Sequence, residues 1–344
     1  MNDPILVATG LTKSFGGGWI GRRPAVPAVR GVDLTVGRGE TVAVVGESGA
    51  GKSTVGRMVL RLIEPDSGTV TFEGVDLRSL SRAALRRMRP RMQMVFQDPF
   101  SSLDPTMSIG DSIGEPLKVH RRMRASERHE RVVDLLRRVG LRPEHAERYP
   151  RELSGGQQQR IAIARAVSSE PSLIVCDEPV AALDLSIRGQ VLNLLVELQQ
   201  ERKIAYLFIS HDLSVVRHFA HRVVVMYAGQ VVEARETAEL YESPRHPYTQ
   251  ALLAAVPIAS PSRRRVGDRR LGAGERLPLA QIGQGCAYRN RCPMAMDVCE
   301  TTAPVLREQS EGGSVACHLF SGSDRPSGGP AVTDPAAAKI PESA

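Results

Sequence analysis

The chemistry of this chain is concentrated in five short stretches. Residues Gly46-Glu47-Ser48-Gly49-Ala50-Gly51-Lys52-Ser53-Thr54 follow the pattern G-x-x-x-x-G-K-[ST]. Glycines at those positions let backbone N–H groups turn inward and cradle the phosphates of a nucleoside triphosphate at the positive end of a helix. Lys52 adds a point charge there, and the Ser53 hydroxyl is placed to ligate Mg²⁺. Asp177 and Glu178 close an apolar run, Leu173 to Cys176, and an acid at the end of a buried strand belongs beside a phosphate-bound Mg²⁺. Gln97 and Ser210-His211-Asp212 also end apolar runs. Ser154-Gly155-Gly156-Gln157 has a helix-capping serine followed by glycines that admit an anion close to backbone amides.

Holding these groups together requires a sheet whose strands all end on one side. Apolar, β-branched runs supply the strands: Thr41 to Val45 before the phosphate loop, Arg91 to Phe96 before Gln97, Leu173 to Cys176, and Ile204 to Ile209. Val55 to Ile63 is amphipathic and predicts the helix after the loop. Shorter strands are expected at Ile5 to Ala8, Val32 to Val36 and Gly68 to Phe72. Residues 109 to 148 read as helical, with breaks near Lys118 and at Leu141-Arg142-Pro143. Two aromatics compete for stacking on an adenine ring, Phe15 and the lone tryptophan, Trp19.

Composition narrows the class. The 344 residues, 42% hydrophobic and 24% charged, are those of a globular protein with room for one main domain and a smaller one. No run approaches 18 apolar residues, and the N-terminus has neither the basic nor the apolar region of a secretory signal, so a cytosolic chain is expected. The net charge of +7 comes from arginine clusters at Arg82 to Arg91, Arg121 to Arg124 and Arg263 to Arg270, read here as solvated faces and loops.

In order, the phosphate loop, Gln97, Leu153-Ser154-Gly155-Gly156-Gln157, Asp177-Glu178, Ala182-Leu183-Asp184 and His211 resemble the ATP-binding subunit of an ABC transporter over about residues 4 to 255. The resemblance implies an α/β P-loop NTPase of the ABC ATPase type: a RecA-like core with a β-subdomain and a helical subdomain. It also implies dimers in which each ATP lies between one subunit's phosphate loop and the partner's Ser154–Gln157 signature. Lys52, Ser53 and Asp177 would then hold phosphates and Mg²⁺, and Gln97 would sense the metal and the attacking water. Glu178 would be the general base, His211 would contact the γ-phosphate, and Asp184 would couple the two sites. Ala181 departs from the serine common in relatives.

Val95-Phe96-Gln97-Asp98-Pro99-Phe100-Ser101-Ser102-Leu103-Asp104-Pro105 and Ser243-Pro244-Arg245-His246-Pro247-Tyr248-Thr249 resemble the oligopeptide/dipeptide and nickel importers, and Gly51 to Arg57 resembles their second ATPase subunit. That implies a different but related ATPase partner, two membrane-spanning permease subunits, an extracytoplasmic substrate-binding protein, and peripheral attachment to the cytoplasmic face of the inner membrane. A nucleic-acid-associated ATPase of the same superfamily, using its arginines on DNA or RNA, is the alternative.

The domains are expected at 1–256 for nucleotide binding and 257–320 for a small C-terminal unit, with a Pro-, Ala-, Gly- and Ser-rich disordered tail over 321–344. Cys286, Cys292, Cys299 and Cys317 crowd the small unit, and without a secretory signal they argue for a metal site over disulfides. The spacing lacks the C-x₂-C knuckles of structural zinc sites, which leaves zinc open but less favoured, and four thiolates suit an iron–sulfur cluster equally well. The C-terminal extension of peptide-importer ATPases is similar, and in some of them such cysteines hold a 4Fe–4S cluster. Cys176 reads as a plain core residue. None of the four clustered cysteines lies among the nucleotide motifs, so their segment is expected to act apart from ATP binding.

Overall fold

The computed structural model describes residues 3–16, 25–98, 102–181, 183–255, 282–310 and 312–320. Trp19, the basic linker and the C-terminal tail lie outside them.

Strand β3 (Thr41–Val45), β7 (Leu173–Asp177) and β8 (Ala205–Ser210) are buried along their whole length. Continuous apolar runs of this kind belong inside a parallel sheet covered on both faces. They pair in parallel, Val45 opposite Ser210 and Asp177 opposite Ile209. β6 (Met92–Val95) and β9 (Arg222–Tyr227) extend the parallel part on either side. β10 (Gln230–Glu236) then pairs antiparallel with β9. A short C-terminal hairpin, β11 (Arg307–Glu308) and β12 (Ser314–Val315), adds to β10 and completes the order β11-β12-β10-β9-β3-β8-β7-β6. Residues 307–315, placed by the sequence reading in a separate C-terminal unit, therefore contribute strands to the main sheet.

A second, antiparallel sheet of order β2-β1-β4-β5 joins β1 (Leu6–Phe15), β2 (Val26–Val36), β4 (Ser67–Phe72) and β5 (Val75–Asp76). Its alternating inward residues, Leu6, Leu34, Val36 and Phe72 among them, pack with α1 (Lys52–Val59) against one face of the main sheet through Val42, Val44, Val175 and Leu207. The other face, through Ala43, Ile174, Tyr206 and Phe208, is covered by helices. Each layer buries what the other exposes, so the core is split in two by the sheet.

The helices α2 (Arg82–Met88), α3 (Ile109–Arg121), α4 (Ala125–Arg138) and α5 (Gly155–Ser168) lie between β5 and β7 in the chain. α3 runs through Pro116 and Lys118, where a break was expected, and stops at Arg122 in the left-handed region with φ 50°. The Arg122 N–H bonds the Leu117 carbonyl there, closing the helix end. The second expected break is real: α4 ends at Arg138 and a 3₁₀ turn spans Pro143–Glu147. α6 (Leu185–Arg202), α7 (Leu213–Phe219), α8 (Thr237–Glu242), α9 (Pro247–Ala254) and α10 (Val298–Thr301) complete the helices described. Among the described residues no helix is long and apolar enough to cross a membrane.

Arginines of the clusters are tied into the protein. Arg91 pairs with Glu73, Arg121 with Glu170 at 2.6 Å, and Arg89 donates to backbone carbonyls of Leu60 and Arg61.

Candidate nucleotide site

The phosphate loop leaves β3 and enters α1 at its expected place. Two of its glycines are needed for reasons the surroundings make explicit. Gly46 has φ 151°, and a Cβ there would lie 2.2 Å from the Met226 carbonyl oxygen. Gly51, which precedes α1, has φ 97°, and its Cβ would meet the Ala28 carbonyl oxygen at 2.4 Å. Neither position tolerates a side chain without moving backbone. Ala50 is buried, Ser48 and Gly49 are exposed, and Thr54 is partly covered. Lys52 is buried, and its ammonium donates to the carbonyls of Gly46 at 2.8 Å and Glu47 at 3.0 Å.

Parallel pairing brings the other groups to the same edge of the sheet. Ser53 Oγ donates to Asp177 Oδ1 at 2.7 Å across 124 residues of sequence. Asp177 is only 2% exposed, and burial raises its pKa, with Ser53 and the nearby Arg57 opposing. A buried carboxylate beside a hydroxyl is a hard oxygen donor set, which suits Mg²⁺.

Glu178 follows directly. Its backbone takes φ 48°, left-handed for a residue with a side chain, and its N–H bonds the Ile209 carbonyl at 3.0 Å. This turn directs the carboxylate to His211, with Oε1 3.1 Å from Nδ1. Gln97 stands exposed just past β6. Beside it, a groove of about 300 Å³ between β6, α3 and α5 is lined by Met94, Phe96, Pro116, Val119 and Ala162. Phe15, at the end of β1, is 45% exposed, as a stacking platform must be; its competitor Trp19 lies outside the described residues.

The signature is a built helix start. Ser154 caps α5: its Oγ accepts from the Gln157 N–H at 3.3 Å, while Gln157 Oε1 accepts from the Ser154 N–H at 3.0 Å. Gly155 faces open space, whereas a Cβ on Gly156 would lie 2.7 Å from Ile187 Cγ2. Asp184 precedes α6, exposed and without a cap bond from its side chain.

The four clustered cysteines line one cavity of about 10 Å³, together with His246 and Tyr288. As a donor set they match an iron–sulfur cluster. As packed here they do not enclose one: among the described residues no three His, Cys, Asp or Glu side chains are grouped to hold a metal ion. Burial raises the thiol pKa of Cys286 and Cys292 and pushes that of Cys317 up to about 11. Cys176 is fully buried in β7, the plain core residue expected.

Two residues of this region escaped the sequence reading. Tyr248 Oη accepts from the Glu47 N–H at 2.9 Å, and Arg291 pairs with the Glu47 carboxylate. Tyr248 lay within a stretch marked for its resemblance, without a role. Arg291 had no signal beyond its place before Cys292.

Residues 29–181 match the ABC transporter family, and residues 232–299 match the oligopeptide/dipeptide transporter C-terminal region. The chain is 49% identical to the probable peptide ABC transporter ATP-binding protein y4tS of Sinorhizobium fredii, over 93% of this chain and 91% of that one. It is also 49% identical to the oligopeptide transport ATP-binding protein AppF of Bacillus subtilis, over 86% and 90%. Among solved structures, the dimeric ATP-binding cassette MJ0796 bound to ADP and phosphate superposes with a TM-score of 0.62 at 30% identity, covering 67% of this chain and 98% of that one. CbiO1 of Clostridium perfringens gives 0.61 at 28%, covering 70% and 92%. These relatives are transporter ATPases and lend no support to the nucleic-acid alternative. The chain thus belongs to the ATP-hydrolysing subunits of ABC transporters, in the branch that carries the oligopeptide/dipeptide transporter C-terminal region.

Proposed function

We propose that this chain is the motor subunit of a peptide importer, coupling ATP binding and hydrolysis to uptake of di- or oligopeptides from the cytoplasmic face of the inner membrane. The observation that carries the reading is the meeting of Ser53 with Asp177 and of Glu178 with His211 at one edge of the sheet, in a chain similar to peptide transporter ATPases.

The loop amides from Gly46 to Thr54 and the Lys52 ammonium hold the phosphates, Lys52 exchanging its loop carbonyls for them. Ser53, Asp177 and Gln97 hold Mg²⁺, which when bound neutralises phosphate charge. Glu178, fixed by its turn and by His211, orients water and takes its proton. His211 contacts the γ-phosphate, and Phe15 stacks on adenine. Ser154 to Gln157 serve the ATP of a second, related ATPase subunit, with Asp184 coupling the sites. The groove beside Gln97 receives one of two permease subunits, which in turn work with an extracytoplasmic binding protein.

Glu178→Gln tests the chemistry. ATP binding by the purified variant stays near normal, hydrolysis falls about 10²–10⁴-fold, and cells depending on the variant lose uptake of labelled peptides. Near-normal hydrolysis removes Glu178 from the role; uptake unaffected by deletion of the whole chain removes the cargo.

We also assign the four thiols an iron–sulfur cluster, a reading supported by their convergence on one cavity and requiring the packed thiols to part. The protein purified anaerobically is then brown, with broad visible absorbance that bleaches in air. A colourless, iron-free preparation refutes it.

A further inference from the structure

Glu47 sets an electrostatic problem for its own loop. It is the second residue of a segment that receives a polyanion, and it carries a carboxylate. Three contacts hold it. Its N–H donates to Tyr248 Oη at 2.9 Å, its carbonyl accepts from Lys52 Nζ at 3.0 Å, and its carboxylate is gripped from both sides by Arg291. Arg291 Nη1 lies 3.0 Å from Oε2 and Nη2 lies 3.0 Å from Oε1, a two-pronged pair. Such forks fix geometry as well as charge.

The pair is sheltered: the side chains are 11% and 25% exposed. Its walls are aromatic. Tyr227, Tyr248 and Tyr288 pack against one another with centroids 4.7, 5.2 and 5.4 Å apart, and the guanidinium lies 5.9 Å over the Tyr288 ring. Arg291 itself comes from the far end of the chain, 244 residues from Glu47. It closes the 3₁₀ turn Arg289–Arg291 directly before Cys292, and Tyr288 lines both this shelter and the cysteine cavity. The cysteine segment is therefore not separate from the nucleotide motifs, in contrast to the expectation from sequence; between Cys286 and Cys292 it carries a direct hold on the phosphate loop.

We propose that Arg291 is a positioning residue for nucleotide binding: it neutralises Glu47 and turns it from the phosphates, so that the C-terminal cysteine module sets the shape and charge of the phosphate loop. The inference rests on the reading that this loop binds MgATP. Loss of Arg291 leaves an unpaired carboxylate beside the loop, which opposes the nucleotide in ground and transition states alike. Such uniform loss raises KM and spares kcat.

The test uses the full chain and MgATP with four variants: Arg291→Ala, Arg291→Lys, Glu47→Gln, and Arg291→Ala combined with Glu47→Gln. Arg291→Ala raises the KM for ATP about tenfold, within the range usual for coupled sites, with kcat held within about twofold. Arg291→Lys, which keeps the charge and loses the fork, falls between. Adding Glu47→Gln to Arg291→Ala restores most of the affinity, because the charge to be neutralised is gone. An unchanged KM in Arg291→Ala overturns the proposal. So does a double variant as impaired as Arg291→Ala, which would mean that Arg291 acts through packing of the module. Should Arg291→Ala fail to fold, Arg291→Lys decides: the proposal requires a raised KM with kcat held, an unchanged KM overturns it, and Glu47→Gln serves only as the reference for the double variant. Wild-type protein that does not bind MgATP refutes the underlying reading instead, a result separable from all of these.

Discussion

Asp177→Asn exchanges a buried charge for a neutral group of the same shape, and the structure predicts opposite effects on the empty and loaded protein. Asp177 is 2% exposed, Glu178 stands next to it, and the Ser53 hydroxyl donates to it at 2.7 Å. An asparagine keeps an oxygen for that hydroxyl, so the hydrogen bond survives. What is lost is the desolvation of a carboxylate, the first cause of its raised pKa, set against attraction from Arg57 and Lys52. The native pKa lies above the unfolded value near 3.8. The native state therefore binds more protons in the window between the two, and stability falls as pH rises through it. Neutralisation should stabilise the empty protein by about 1–3 kcal/mol, a rise in Tm of roughly 2–6 °C. Mg²⁺-nucleotide reverses the sign, because the cation then needs the charge. Thermal unfolding with and without MgATP is the assay: the variant starts higher and gains much less from MgATP than wild type. A lower Tm for the empty variant would refute the burial argument, and an undiminished MgATP gain would remove Asp177 from the metal site.

Two further outcomes are open to measurement. Gly155→Asp, at a position facing open space, should leave ATP binding by the isolated chain intact and abolish ATP-dependent dimerisation, read by size-exclusion chromatography; Gly156 is the poorer choice because its Cβ would strike Ile187. Dimers that persist in Gly155→Asp would mean that the signature does not face ATP. His246 is buried, accepts the Tyr248 N–H on Nδ1 at 3.0 Å, and burial lowers its pKa to about 4 from 6.5. The unfolded chain binds the extra proton in that window, so stability is full above about 6.5 and is lost as pH falls toward 4. His246→Asn, which keeps a capping oxygen, should flatten the dependence of Tm on pH between those values; parallel profiles would refute it.

The legible part of this protein was the part in which chemistry demands residue types in a fixed order. Gly46, Gly51, Lys52 and Ser53 announce themselves because a phosphate-binding turn admits few alternatives, and β3, β7 and β8 because buried parallel strands are apolar throughout. The helix ends were less legible. A break was expected near Lys118, but packing of Ile113 and Leu117 into the core carries α3 on to Arg121. Arg291 and the hairpin of β11 and β12 were not legible at all. Strands of two residues leave no periodicity to detect, and a pairing across 244 residues has no local signature.

That hairpin also bears on how the molecule behaves in a crowded cell. Without it, β10 would be an outermost strand with free main-chain groups beside Val231 and Val232, an invitation to sheet-to-sheet aggregation. β12 takes up that edge, with Ala316 N–H bonding the Val232 carbonyl at 2.8 Å. The edge passed outward to β11 is two residues long and carries Arg307 and Glu308, too short and too charged to recruit a stranger. This short hairpin thus acts as a guard against self-association, and proteolytic loss of it would endanger solubility before it touched catalysis.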